Sequence, residues 1–171
     1  MTAIIRACQS GEVDGAVGVV VSPLGSTGAA EEARTLGVRV DVVSPESESY
    51  AAELMRSLEM CDLVCLAGYT RLLPLDVLQA FPGRVLNIHP ALLPKYGGKG
   101  MYGIRVHEAI LAAGEQESGC SVHVVTEHYD EGEVILQRKC PVFPNDTPQM
   151  LAARVLGEEH IAYVDAIKRF N

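Results

Sequence analysis

The strongest constraint on the fold is a regular alternation between short apolar runs and segments with helical periodicity. Residues 16–21 read AVGVVV, residues 63–67 read LVCLA, and residues 85–89 form another run of strand length. Strands that are apolar on both faces and alternate with helices are typical of a parallel sheet covered on both sides. The sequence therefore predicts an α/β domain with a doubly wound, mostly parallel sheet.

The pattern changes in the C-terminal third of the chain. Strands are predicted at residues 16–21, 38–43, 63–67, 85–89, 121–126 and 133–137, and helices at residues 2–9, 29–36, 47–60, 74–81, 106–113 and 147–170. The last two strands are separated only by a short acidic turn, which favours an antiparallel hairpin and a mixed edge. The final helix is long and begins with a Thr-Pro pair suited to its first turn.

Composition restricts the class of protein. The 171 residues are 48% apolar and 21% charged, which predicts one globular domain over residues 1–171. A net charge of −8 argues against a nucleic-acid partner, and no apolar run approaches the length of a membrane helix. The five cysteines are odd in number, lack Cys-x-x-Cys spacing and show no zinc-site spacing with histidine. We expect free thiols, no metal and a cytoplasmic location.

Two predicted strand ends carry polar groups, and ligands bind at strand ends in open α/β sheets. Gly68 follows the strand at 63–67, where an ordinary turn fits as well as a binding turn. Asn87 and His89 alternate along one strand and so project from the same face. A hydrogen-bonded core histidine and an oxyanion-stabilising pair both fit these two residues. The acidic turn at 127–132 offers a carboxylate partner, although a solvated loop has the same composition.

The segment 87–94, Asn-Ile-His-Pro-Ala-Leu-Leu-Pro, resembles the formyltransferase family that uses 10-formyltetrahydrofolate. The resemblance includes residues 66–73, 119–123, 130–132, 134–137 and 158–160, and it covers the chain from about residue 2 to the end. The continuation Leu-Leu-Pro-Lys-Tyr is most similar to the members that formylate phosphoribosylglycinamide (GAR) in purine synthesis. The resemblance implies a Rossmann-like formyltransferase fold, formyl transfer to the GAR amine, a formyl-folate co-substrate, no metal, and a monomer or homodimer.

The same resemblance assigns roles to individual residues. Catalysis falls to Asn87 as a hydrogen-bond donor to the oxyanion, His89 as an imidazolium, and Asp130 as the carboxylate that keeps His89 charged. Co-substrate binding is implied for Tyr69, Thr70, Arg71, Leu72, Leu73, Leu78, Val85, Asn87 and Val125, and GAR binding for Gly68, Pro90 and Glu159. The other four histidines, His107, His123, His128 and His160, keep structural or solvent roles, and His107 matches a position near the active site.

The chain departs from the family pattern in two places. The family begins with a strand and a phosphate-binding turn, whereas residues 2–8 here match the helix that follows them. Three explanations stay open: a shortened chain, a sheet that closes by pairing residues 16–21 with 63–67, and a segment of another chain in the slot. The second departure is a glycine-rich loop at 95–103, which fits a mobile lid and a plain surface loop equally.

Two other functions stay open at this point. One is a folate-dependent formyltransferase with an acceptor other than GAR, which the missing phosphate turn motivates. The other is a folate-binding module without turnover, which an intact Asn87, His89 and Asp130 would argue against.

Overall fold

The computed structural model describes residues 1–170 and contains twelve main elements. In chain order they are α1 (Thr2–Gln9), β1 (Val20–Ser22), α2 (Gly28–Thr35), β2 (Val40–Val42), α3 (Tyr50–Leu58), β3 (Val64–Leu66), α4 (Leu75–Ala80), β4 (Val85–His89), α5 (Ile104–Ala112), β5 (Glu117–Val124), β6 (Val134–Pro141) and α6 (Pro148–Ile167). A short 3₁₀ turn, Lys168–Phe170, follows α6. The alternation of strands and helices follows the sequence prediction.

The strands form two sheets. Strands β3, β4, β5 and β6 lie side by side in that order, with β3 parallel to β4 and the other two pairs antiparallel. Strands β1 and β2 form a separate parallel pair. The α/β class, the mixed C-terminal edge and the long final helix are thereby confirmed.

Residues 16–21 do not pair with residues 63–67. The explanation that the sheet closes by this pairing, in place of the family's first strand, was therefore wrong. Strand β1 pairs with β2 alone, and β3 pairs with β4 alone. The Val20 N–H donates to Arg39, and the Ser22 carbonyl accepts from Val43. Backbone groups alternate sides along a parallel strand, so those of Val21 point away from β2. The predicted strand at 16–21 is correspondingly short, since only Val20–Ser22 finds a partner.

Helix α6 organises the larger core. Its buried residues, including Leu151 and Val155, pack with Leu86 of β4 and Val122 of β5. The Tyr163 hydroxyl lies 2.9 Å from the carbonyl oxygens of both Leu66 and Leu86, which ties α6 to the ends of β3 and β4. A second apolar cluster joins α3 and α4 to strands β3 and β4. It consists of Val43, Leu54, Leu58, Val64, Leu73, Val77 and Val85.

All five cysteines are free, with Cys120 and Cys140 buried and the other three partly buried. Burial raises the pKa of Cys65 and of Cys120 to about 12. Over residues 1–170, no helix has both the length and the apolar character needed to cross a membrane. The same residues contain no cluster of His, Cys, Asp and Glu side chains that would hold a metal ion.

Candidate active site

Strand β4 carries two polar side chains at its carboxyl end. Asn87 and His89 lie where the sequence predicted them, and the bounds of β4 match the predicted strand at 85–89. The antiparallel partner β5 places His123 opposite Asn87 and Ser121 opposite His89. His89 is 3% exposed, so its ring is taken almost completely out of solvent.

The acidic turn between β5 and β6 brings Asp130 to this pair. Its Oδ2 lies 3.5 Å from His89 Nδ1, and its Oδ1 lies 3.4 Å from His123 Nε2. The backbone at Asp130 has a φ of 58°, a left-handed conformation that non-glycine residues rarely adopt. The Gly98 N–H donates to Asp130 Oδ2 at 2.9 Å and helps to hold this conformation. The structure thus brings the three predicted catalytic residues together.

The first half of the glycine-rich loop supplies backbone groups to the site. The Tyr96 carbonyl accepts a hydrogen bond from His89 Nε2 at 2.7 Å. This half is anchored to Glu115, which accepts from both Lys95 Nζ and the Tyr96 hydroxyl at 2.9 Å. A Cβ on Gly97 would lie 2.6 Å from Leu93 Cδ2 and 3.2 Å from the Asp130 Cβ, so this position favours glycine. The residues at the start of the loop therefore orient His89 and Asp130 through the main chain.

Burial and the neighbouring acceptors shift the pKa of His89 in opposite directions. Loss of solvent lowers the pKa of His89 below its ordinary value, and the opposing effects of Asp130 and the Tyr96 carbonyl only partly offset it. The expectation that Asp130 holds the ring charged stays a prediction, because the carboxylate favours the charged form while burial opposes it. Burial by itself raises the pKa of Asp130, but the contacts with His123, the Gly98 N–H and the His89 ring outweigh it and leave that pKa below its usual range.

The residues predicted to bind the folate lie along one wall beside the second apolar cluster. Leu73 and Val85 are buried, and Tyr69, Leu78 and Val125 pack against them. The Val125 N–H donates to the Val85 carbonyl at 2.8 Å.

The turn after β3 completes this wall. The Tyr69 hydroxyl bonds to the hydroxyl of Tyr50 and donates to the Leu72 carbonyl at 3.2 Å. Thr70, Arg71 and Leu72 are exposed, and Arg71 forms an ion pair with Glu46 at 2.6 Å. Most of the segment 69–72 thus lies exposed after β3, with the Leu72 carbonyl bonded to Tyr69.

The residues predicted to bind GAR are less closely grouped. Pro90 follows His89 directly and is partly buried. Gly68 is exposed with a φ of 75°, and open space surrounds the position of its missing side chain. Glu159 lies on α6, where burial raises its pKa and the Met1 amino group partly opposes that effect. Among residues 1–170, no hydrogen bond or ion pair joins Glu159 to the catalytic trio.

Two histidines that the sequence treated as structural lie at the site. His123 is 2% exposed and contacts both Asn87 and Asp130. His107 on α5 is 4% exposed, and its Nδ1 has no hydrogen-bond partner within residues 1–170. Burial lowers the pKa of His107, and the nearby His89 lowers it further. The placement of His123 depends on the register of β4 against β5, which a single sequence does not reveal.

A surface cavity of about 450 Å³ borders Asp130 on the side of the glycine-rich loop. Leu93, Gly97 and Gly98 line one side, and Tyr129 and Asp130 line the other. The carboxylate therefore lies between the buried histidines and an opening to solvent.

Known proteins of one family resemble this chain in sequence and in structure. Residues 1–167 match the family described as "Formyl transferase". Phosphoribosylglycinamide formyltransferase of Escherichia coli K12 is 38% identical over 176 residues, which cover 99% of this chain and 81% of the relative. The chloroplastic enzyme of the same name from Arabidopsis thaliana is 44% identical over 172 residues, covering 96% of this chain.

The chain spans only 59% of the length of that plant relative. Among solved structures, glycinamide ribonucleotide transformylase 1 from Symbiobacterium toebii superimposes with a TM-score of 0.90 at 41% identity. That alignment covers 98% of this chain and 80% of the solved chain.

Proposed function

Because the chain belongs to the formyl transferase family, we propose that it transfers a formyl group from 10-formyltetrahydrofolate to the amine of GAR. The observation that carries the proposal is the convergence of Asn87, His89 and Asp130 at the carboxyl end of β4. A buried His89 and a partly buried Asn87 and Asp130 are costly to remove from water unless they act on a ligand or satisfy each other. Their arrangement suits a reaction in which charge develops on a carbonyl oxygen.

The transfer begins with the neutral amine of GAR, which attacks the formyl carbon on N10 of the folate and forms a carbon–nitrogen bond. The carbonyl oxygen becomes an oxyanion, and an N–H of Asn87 donates to it. The Tyr96 carbonyl occupies the Nε2–H of His89, so Nδ1 is the ring atom left to accept the proton that the attacking amine loses.

Asp130 stabilises the imidazolium that results, since its carboxylate faces Nδ1. The imidazolium then returns the proton to N10 as the carbon–N10 bond breaks. The products are formylated GAR and tetrahydrofolate, and no proton is gained or lost overall. In this scheme His89 starts neutral and carries its charge only during the transfer, and the burial that lowers its pKa supports this order.

The wall beside the second apolar cluster is the proposed site of the folate ring. Leu78, Val85 and Val125 offer apolar contact, and the main chain of residues 70–73 offers hydrogen-bonding groups to the edge of the ring. Gly68, Pro90 and Glu159 are the proposed contacts to GAR. The proposed scheme uses no metal ion, because the transfer needs only proton movement and stabilisation of the oxyanion.

The remaining properties follow from the same proposal. We propose small-molecule partners only, a monomer or homodimer, and a cytoplasmic location, although the plant relative is named as chloroplastic. Sedimentation of the purified protein would measure the oligomeric state, and fractionation of cells would test the location.

The deciding experiment is the release of tetrahydrofolate, followed by absorbance, with and without GAR. We expect release that depends on GAR, and a decrease of at least about 100-fold in the variant His89→Ala. Release without GAR would indicate a hydrolase, and binding without release would indicate a folate-binding module. Turnover with amines that lack a phosphate, and none with GAR, would favour a different acceptor. Unchanged turnover in His89→Ala would refute the mechanism.

A further inference from the structure

His123 lies between Asn87 and Asp130 but is not part of the proposed catalytic trio. It faces Asn87 across the β4–β5 pairing and is 2% exposed. Its Nδ1 lies 2.9 Å from the Val124 carbonyl oxygen, and its Nε2 lies 3.2 Å from Asn87 Nδ2. A third contact of 3.4 Å joins Nε2 to Asp130 Oδ1.

The Val124 carbonyl fixes the tautomer of this ring. A carbonyl oxygen only accepts hydrogen bonds, so Nδ1 must carry a proton to donate to it. A neutral imidazole has one N–H, which leaves Nε2 of His123 with a free lone pair. That lone pair accepts a hydrogen bond from the amino group of Asn87.

The direction of this hydrogen bond fixes the orientation of the Asn87 amide. If the amide were rotated by half a turn, its oxygen would face the lone pair of His123 Nε2, and the two would repel. The amino group has two N–H donors. His123 takes one of them and leaves the second for another acceptor.

We propose that His123 is a positioning residue that keeps the amino end of Asn87 directed at the reacting carbonyl. This inference rests on the proposed formyl transfer, because it assigns the second N–H of Asn87 to the oxyanion. Without His123 the amide of Asn87 rotates freely, and its oxygen then faces the oxyanion for part of the time.

The contact between His123 and Asp130 would be a hydrogen bond only if Nε2 of His123 carried a proton. With a proton on Nε2, the ring donates to Asp130 Oδ1 and no longer accepts from Asn87. The contact with Asn87 is the shorter of the two and agrees with the tautomer that the Val124 carbonyl fixes. In that state Asp130 remains available to His89 and keeps its bond from Gly98.

Two substitutions of His123 distinguish the effect of its hydrogen-bond acceptor from the effect of its size. His123→Leu removes the acceptor, and His123→Gln keeps a side-chain oxygen that can accept from Asn87. We expect His123→Leu to lower kcat about 10- to 100-fold, with KM for both substrates within about threefold of wild type. His123→Gln should recover kcat to within about fivefold of wild type.

The matched control is Ser118→Ala, on the same strand. Ser118 is 2% exposed, and its hydroxyl has no hydrogen-bond partner in the described part of the chain, so its removal should leave kcat unchanged. A loss of kcat in the control equal to that in His123→Leu would assign the effect to the packing of β5 and overturn the proposal.

A double substitution tests whether His123 acts through Asn87. In an Asn87→Ala background, adding His123→Leu should change kcat by less than about threefold, because the group to be oriented is already gone. Fully additive losses would overturn the proposal. So would a His123→Leu variant with wild-type kcat, or a glutamine variant no better than the leucine variant.

A measurement that does not need activity keeps the two proposals distinguishable. In side-chain amide NMR spectra, the NH₂ resonances of Asn87 should exchange slowly with solvent in wild type and in His123→Gln, and rapidly in His123→Leu. Equal exchange in all three proteins would overturn the positioning role. A wild-type protein that does not formylate GAR would refute the proposed function, while this spectrum would still report on Asn87.

Discussion

Replacing Asp130 by Asn removes one negative charge from the site and keeps the shape of the side chain. Asp130 Oδ2 and His89 Nδ1 are 3.5 Å apart, and the two side chains are 10% and 4% exposed. At this distance a carboxylate and an imidazolium attract each other by about 5 kcal/mol at an effective dielectric constant of about 20, and by about 1 kcal/mol in bulk water. The loss on substitution should lie between these two limits.

The expected result is a decrease in kcat of about 100- to 1,000-fold for Asp130→Asn, which corresponds to roughly 3–4 kcal/mol. KM for the folate should stay within about threefold, since Asp130 is placed beside the reacting groups and away from the apolar wall. The carboxylate raises the pKa of His89, so its removal lowers that pKa further. The acid limb of kcat/KM, on which His89 must be neutral, should therefore move to lower pH.

The assay is GAR-dependent release of tetrahydrofolate, measured at intervals from about pH 5 to pH 9. Glu131→Gln is the matched control, because it removes a neighbouring charge from the same turn at an exposed position. The control should keep wild-type kcat and the wild-type pH profile. A kcat within threefold of wild type for Asp130→Asn, or an acid limb moved to higher pH, would refute the charge argument.

Three further predictions concern stability and metal dependence. A Cβ on Gly132 would lie 1.8 Å from the Val124 carbonyl oxygen, so Gly132→Ala should lower the free energy of unfolding by roughly 2–4 kcal/mol. Gly157→Ala, in open space on α6, should raise it by about 0.5–1 kcal/mol, and denaturant titration that reversed this order would be contrary evidence. Arg154 lowers the pKa of Asp146 from 3.8 to about 2, so stability should fall as pH drops through this interval, and less so in Asp146→Asn. An equal acid dependence of the two proteins in thermal melts would count against that pairing. Dialysis against EDTA should leave formyl transfer unchanged, whereas a loss restored by a divalent metal would contradict the metal-free scheme.

The regular elements were predictable wherever apolar residues carry the pattern. Strand β4 and helix α1 match their predicted bounds. In each, apolar residues recur at the spacing of the element and a polar residue follows at its end. Strand β5 begins at Glu117, four residues before the predicted start. Its first two residues are polar, and the start of the strand is set by their pairing with β6. Residues 16–19 failed as a strand because strand structure depends on a partner as well as on apolar side chains.

The site was predictable only in part. Asn87 and His89 share one strand, so their common face follows from local geometry. Asp130 lies far along the chain and was assigned by resemblance, not by any local pattern. The roles of Tyr96 and His123 depend on a main-chain carbonyl and on strand register, neither of which side-chain identity specifies.

The separation of the β1–β2 pair from the larger sheet has a consequence for ligand affinity. Within residues 1–170 no strand pairing joins the two, so we expect this pair and α2 to open locally at lower cost than the central strands. The segment after β2 carries Glu46 and Tyr50, which hold Arg71 and Tyr69 beside the proposed folate wall. We expect each local opening to release those two contacts. The apparent affinity for the proposed folate ligand should therefore scale with the fraction of molecules in which this unit is closed.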